Sequence, residues 1–231
     1  MDQYEWKLAA ACVRGAAEKQ PGLLPETLLR SPLEELTGEE LEQIFRAGEE
    51  AGMRMYHFKK KDILPRVHQV MGFLKGIQPE SLLDVGSGRG VFLFPFLNTF
   101  PWVPVTSLDL LEHRVEMLEN MASGGISRLT ALRQDICSWE KKDGSFDVVT
   151  LLEVLEHIPD VQAAVQAAVR LARRYVVVSV PSKPDDNPEH IHLLTKDILT
   201  ELFRKAGCTK LHFGGVNGHL ILIATVDRET I

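Results

Sequence analysis

Gly86-Ser87-Gly88-Arg89-Gly90 follows directly on the apolar run Leu82-Leu83-Asp84-Val85, an order that reads as a buried strand ending in a glycine-rich turn. Glycine has no Cβ and takes positive φ without strain, so the backbone N–H groups of such a turn can approach a ligand closely. A nucleotide-like cofactor is the ligand it would hold. The spacing is G-x-G-x-G, whereas a dinucleotide fingerprint wants its third glycine one place later, where Val91 stands. The mismatch favours a cofactor with no pyrophosphate. Asp109 ends a second apolar run and lies twenty-three residues past Gly86, where an acid can accept two hydrogen bonds from a ribose diol. Further on, Glu153-Val154-Leu155-Glu156-His157 forms an E-x-x-E-H array, and His190 and His192 follow within residues 187–192. His157 is a candidate general base near neutral pH.

The elements that must position these groups alternate. Strands are expected at 81–85, 103–109, 128–133, 146–152 and 175–180, with helices at 90–99, 112–122 and 161–171 between them. Strand and helix in alternation argue an α/β fold: a parallel sheet covered by helices on both faces, with right-handed crossovers and the ligand beyond the carboxyl ends of the strands. The last stretch breaks the pattern. Thr195 caps a helix running to Lys205, and strands at 209–213 and 220–226 are joined only by residues 214–219. So short a connection forces an antiparallel hairpin. Before residue 81 the chain reads as helical: a helix starting near Glu5 is broken by Pro21-Gly22 and Pro25, and an amphipathic segment covers 63–74. Ser31-Pro32-Leu33-Glu34 and Thr37-Gly38-Glu39-Glu40 both have capping-box spacing, and two short helices are expected to begin there. Residues 1–62 are taken as an N-terminal helical cap over the cofactor edge of the sheet, and 63–231 as the main domain.

Composition narrows the function classes. The 231 residues are 45% hydrophobic and 25% charged, ordinary for a soluble globular protein, and no apolar run is long enough to span a bilayer. Residues Met1 to Glu5 carry acids in place of the basic region of a signal peptide, so a cytoplasmic protein without membrane partners is expected. Cys12, Cys137 and Cys208 form no C-x-x-C pair, which points to neither a disulfide framework nor a zinc knuckle. Eleven acids against five bases in residues 1–53 account for the whole net charge of -6. A basic stripe follows, with Arg54, Lys59, Lys60, Lys61, Arg66 and Lys75 interleaved with Tyr56, His57 and Phe58. It reads as a solvated face, since the acidic whole repels bulk nucleic acid.

Asp84 to Gly90, Asp109, Asp135, and the strand Phe146-Asp147-Val148-Val149 leading to Leu151-Leu152-Glu153-Val154-Leu155-Glu156-His157-Ile158-Pro159 together resemble class I S-adenosylmethionine-dependent methyltransferases. The resemblance covers roughly residues 63–226. It implies a Rossmann-like seven-stranded, mostly parallel sheet with a terminal antiparallel hairpin, and S-adenosyl-L-methionine as methyl donor with S-adenosyl-L-homocysteine as product. It also implies a cofactor site made of Asp84, Gly86, Ser87, Gly88, Asp109, Leu110, Asp135, Ile136, Leu152 and Glu153. In that site Gly86 and Gly88 face the amino-acid carboxylate, Leu152 and Glu153 lie along the methionine, and Asp135 with the Ile136 backbone holds adenine.

No Asn/Asp-Pro-Pro-aromatic motif follows the fourth strand, which disfavours amino-group methylation of adenine or glutamine, and the absence of a Pro-Cys nucleophile argues against covalent pyrimidine C5 methylation. A small-molecule acceptor methylated at oxygen or nitrogen is expected, with Glu156, His157 and His192 as catalytic candidates. E-x-x-E-H with a later histidine also resembles the metal-binding residues of small-RNA 2′-O-methyltransferases, and its first part that of ubiquinone-pathway O-methyltransferases. That resemblance allows a divalent ion at Glu153, Glu156, His157 and His192, with His192 preferred to His190; the reading without metal, in which Glu156 and His157 support the loop after the fourth strand, is favoured over it. The rival readings are a metal-assisted RNA ribose methyltransferase and a cofactor-binding, catalytically silent partner subunit.

Overall fold

Residues 5–60, 62–184 and 186–227 are described by a computed structural model; Met1 to Tyr4 of the acidic N-terminus and Lys61 of the basic stripe lie outside them. Seven strands make one sheet: β1 (Leu82–Val85), β2 (Val105–Asp109), β3 (Leu129–Arg133), β4 (Phe146–Leu152), β5 (Ala172–Pro181), β6 (Lys210–Val216) and β7 (His219–Thr225). Their order is β3-β2-β1-β4-β5-β7-β6. β1 to β5 pair in parallel, and β7 runs antiparallel to both β5 and β6. This is the Rossmann-like α/β sheet with an antiparallel finish. All four residues of β1 are buried, as a strand covered on both faces requires.

Alternate side chains of the strands feed two cores, because successive Cβ atoms point to opposite faces. Leu82, Val105, Val148 and Val177 pack with α4 (Pro65–Ile77), α5 (Leu93–Thr99) and α6 (Glu112–Ser123). Leu83, Leu108, Val149 and Val178 pack with α7 (Val161–Leu171) and α8 (Lys196–Lys205). α7 and α8 start where sequence chemistry places them: Asp160 accepts from Ala163 N at 2.9 Å and Thr195 from Ile198 N at 3.4 Å. At the amino ends of the strands, Asp147 is fully buried at the side chain, where it takes Arg174 Nε at 2.6 Å, Arg173 Nη2 at 3.1 Å and Glu80 N at 2.9 Å.

Upstream lie α1 (Trp6–Lys19), α2 (Glu26–Arg30) and α3 (Gly38–Glu50). Thr37 opens α3 with a reciprocal capping box. The expected box at Ser31 does not form. Ser31 instead ends α2, its N–H and hydroxyl both donating to Thr27 O, and only a 3-10 turn at Leu33–Glu35 follows. α1 packs against α6 and α3, and with the segment 52–58 it lines a cleft that Gly88, Arg89 and Arg114 also border. α1 and α6 touch backbone to backbone: a Cβ on Gly15 would lie 1.9 Å from Asn120 O, and one on Gly124 1.8 Å from Ala11 O. The last hairpin is tighter than its glycines suggest. Gly214 and Gly215 continue β6, and only Asn217-Gly218 turns, with Gly218 at φ 84°, the Asn-Gly pairing of a two-residue hairpin. Gly214 sits in the strand because Gln69 of α4 fills the place of its side chain.

Candidate functional site

The carboxyl ends of β1, β2 and β4 open onto a cleft of about 640 Å³, in the size range of small-molecule sites. Its floor is the turn after β1, where Gly86, Gly88 and Gly90 have φ of 67°, 58° and 76°. A Cβ at Gly86 would come 2.7 Å from Val154 Cγ2, so this position is closed to other residues by space as well as by conformation. Asp84 supports the turn from beneath. It is buried, and its carboxylate accepts from Ser87 Oγ at 2.6 Å and Thr150 Oγ1 at 2.7 Å. Burial pushes its pKa up to about 6, with those two hydroxyls opposing the shift and nearby Asp109 adding to it. Ser87 Oγ also lies 2.7 Å from Ser107 Oγ, which ties the turn to β2.

Asp109, at the end of β2, closes the rim. Its Oδ2 accepts from Gly88 N at 3.2 Å and lies 3.5 Å from Arg114 Nη1, while Oδ1 accepts from Leu111 N at 3.0 Å. Asp135 Oδ1 accepts from Cys137 N at 2.9 Å, which orders the loop after β3 and buries Ile136. Leu110, 61% exposed, overhangs the mouth. Across the cleft, Glu153 ends β4 with φ 58°, a region that non-glycine residues seldom occupy. Ser179 Oγ of β5 donates to its Oε1 at 2.7 Å, His219 Nε2 of β7 lies 3.1 Å from its Oε2, and Arg66 Nε of α4 3.9 Å from its Oε1. Sequence reading missed Arg66, His219 and Ser179 as its neighbours. Only Arg66 left a signal, as a member of the basic stripe.

The E-x-x-E-H array does not converge as a unit. Glu153 turns to Ser179, Arg66 and His219, while Glu156, His157 and His190 bring one ligand atom each to within 4.8 Å of one another. Glu156 is buried. His157 Nδ1 lies 2.9 Å from Glu189 O; a carbonyl only accepts, so Nδ1 is the donor. His192, preferred over His190 from sequence, stands apart from this group, with Nε2 at 3.1 Å from Ile158 O. The reason is local. Asn187 accepts from His190 N and, through its side chain, from Glu189 N, so the tight turn at 187–190 delivers His190. Cys12 and Cys208 are buried and Cys137 half-buried, all free thiols. Burial is the main cause pushing their pKa up to about 12, 11 and 11, far from thiolate reactivity.

A glycine cradle, an acid ending β2 and a capped loop after β3 around one cleft define a nucleoside-cofactor-binding α/β protein. The family described as "Methyltransferase domain" matches residues 55–212, and the chain belongs to it, with the fold of the class I S-adenosylmethionine-dependent methyltransferases that its sequence resembles. Among curated proteins it is similar to the ubiquinone biosynthesis O-methyltransferase of Pseudomonas paraeruginosa, 32% identical over 103 residues, which are 42% of this chain and 42% of that protein. It thus spans less than half the length of that relative. Among solved structures it resembles an O-methyltransferase family protein from Burkholderia thailandensis (TM-score 0.58, 15% identity, 81% of this chain and 60% of that one). It also resembles magnesium protoporphyrin IX methyltransferase from Synechocystis with bound S-adenosylhomocysteine (TM-score 0.55, 17% identity, 70% and 82%). No helix among the described residues is long and apolar enough to cross a membrane.

Proposed function

We propose that this enzyme methylates an oxygen or nitrogen of a small molecule held on the Glu153 and His157 side of the cleft. The observation that carries the reading is His157, an imidazole that lines the cleft and is held in place there through Nδ1 by Glu189 O. S-adenosylmethionine, when bound, supplies a methyl group made electrophilic by its sulfonium. Asp109 accepts the ribose hydroxyls, the turn at Gly86 and Gly88 faces the amino-acid carboxylate with Arg66 as its cation, and Asp135 with Ile136 holds adenine. Leu152 and Glu153 line the methionine. His157 would take the proton that the acceptor's oxygen or nitrogen loses on methylation. Residues 1–62 are a helical extension whose segment 53–58 borders the site, and we place the enzyme in the cytoplasm. The names of the O-methyltransferase relatives support the small-molecule acceptor.

Transfer of labelled methyl groups to phenol, catechol and amine pools is the test. His157→Ala should lower kcat by about 10²-fold or more and leave S-adenosylhomocysteine affinity within about twofold by calorimetry. Full turnover by that variant would remove His157 as the base.

One observation favours a metal-assisted reading, the grouping of Glu156, His157 and His190. A carboxylate and two imidazoles suit Mn²⁺, Co²⁺ or Zn²⁺, and an ion there would lower the pKa of a bound hydroxyl. Elemental analysis after Mn²⁺ loading decides: His190→Ala should abolish the ion while His192→Ala keeps it, and no ion in the wild type ends the reading, along with its RNA ribose acceptor.

A further inference from the structure

A second cleft, of about 540 Å³, adjoins the cofactor cleft and shares Gly88, Arg89 and Arg114 with it. α1, α6 and the segment 52–58 complete its walls. We propose that it binds a phosphate-bearing small molecule, and that its occupancy is felt at the cofactor site through Arg114.

The charge balance is the first argument. Arg54, Arg89 and Arg114 line this cleft with His57 and His113, against the one carboxylate of Glu116, in a protein whose net charge is -6. Arg54 and Arg89 are exposed and make no ion pair among the described residues, so their charge is available to a ligand. Guanidinium groups are the side chains best suited to phosphate oxygens. Shape is the second argument. The volume exceeds that of a bare phosphate, and Tyr56, 62% exposed, stands at the same cleft with Met53 and Met117, so the ligand carries an organic body beside its anionic group.

The link to the cofactor site is Arg114. Its Nη1 lies 3.5 Å from Asp109 Oδ2, the oxygen that also accepts from Gly88 N. An anion in the second cleft competes with Asp109 for this guanidinium. As Arg114 turns towards the anion, Oδ2 is freed for a ribose hydroxyl, and cofactor affinity rises. By linkage the cofactor then strengthens anion binding by the same factor. This coupling rests on the reading of Asp109 as the ribose acid; the anion site itself does not.

Calorimetry on the full chain separates the two. S-adenosylhomocysteine titrated alone tests the cofactor reading. Pyrophosphate, titrated with and without saturating S-adenosylhomocysteine at matched ionic strength, tests the second cleft whatever the first result. Pyrophosphate should bind and tighten S-adenosylhomocysteine roughly fivefold or more. Arg54→Gln should weaken pyrophosphate about tenfold while leaving S-adenosylhomocysteine affinity in the absence of anion unchanged, which also shows that the variant folds. No pyrophosphate binding, binding indifferent to Arg54→Gln, or citrate binding as tightly as pyrophosphate overturns the phosphate site. Pyrophosphate that weakens S-adenosylhomocysteine would place the anion in the cofactor cleft and overturn the proposal. An unchanged S-adenosylhomocysteine affinity overturns the link through Arg114.

Discussion

Asp109 serves three donors, Gly88 N, Leu111 N and Arg114, which makes it part of the rim's own structure, and in the proposed function it is also the acid offered to ribose. Hydrogen bonds to a charged group contribute about 1.5–3 kcal/mol each. Asp109→Ala should therefore weaken S-adenosylhomocysteine by roughly 10- to 100-fold, read by calorimetry beside a melting curve that shows the variant folded. Retained affinity would mean that the ribose is held elsewhere. The place of Asp109 on the cleft rim was legible in sequence, because an acid ending a strand one βα unit after a glycine turn stands at the same carboxyl edge of the sheet. Arg114 was not, since nothing in a helix's first turn announces that it folds back on the preceding strand. The same limit explains His190 and His192: both imidazoles lie within residues 187–192, and which one meets His157 depends on a backbone turn at Asn187 that residue types alone do not decide.

The elements followed their local signals where chemistry was specific. Thr37 with Glu40 formed its capping box, but Ser31 with Glu34 has the same spacing and did not, because Ser31 was already closing α2 onto Thr27. A cap motif competes with whatever turn precedes it. The α1 and α6 contact is the element-scale feature with the sharpest consequence. Gly124 gives Ala11 O the place of a side chain, and a backbone carbonyl in a packed helix cannot move aside. Gly124→Ala should cost about 1–3 kcal/mol, or a melting temperature lower by roughly 2–12 °C in a calorimetric scan. A variant melting with the wild type would show that α1 is not seated on α6.

Across the whole molecule, two buried carboxylates at opposite ends of the sheet respond to pH with opposite signs. Burial would raise the pKa of Asp147, but the Arg174 and Arg173 bonds and the Glu80 N–H outweigh it and hold the group below its usual range. Its contribution is present above the unfolded value near 3.9 and is lost as pH falls through the lower folded value. Asp84 is raised to about 6, so the folded state keeps a proton that the unfolded chain releases near pH 4. Stability therefore falls as pH rises from about 4 to 6, by on the order of 3 kcal/mol. Asp84→Asn should flatten that slope in denaturant melts between pH 4 and 7; an unchanged slope would show that Asp84 does not titrate there. The sheet and its antiparallel finish were readable in the sequence itself. Apolar period, glycine turns and strand-end acids are local patterns, each acting through its own stretch of backbone. Only the tertiary structure decided where α1 packs, which histidine joins Glu156 and His157, and that Arg66 and His219 flank Glu153. Those pairings join residues far apart in the chain, and they are set by how the elements pack together.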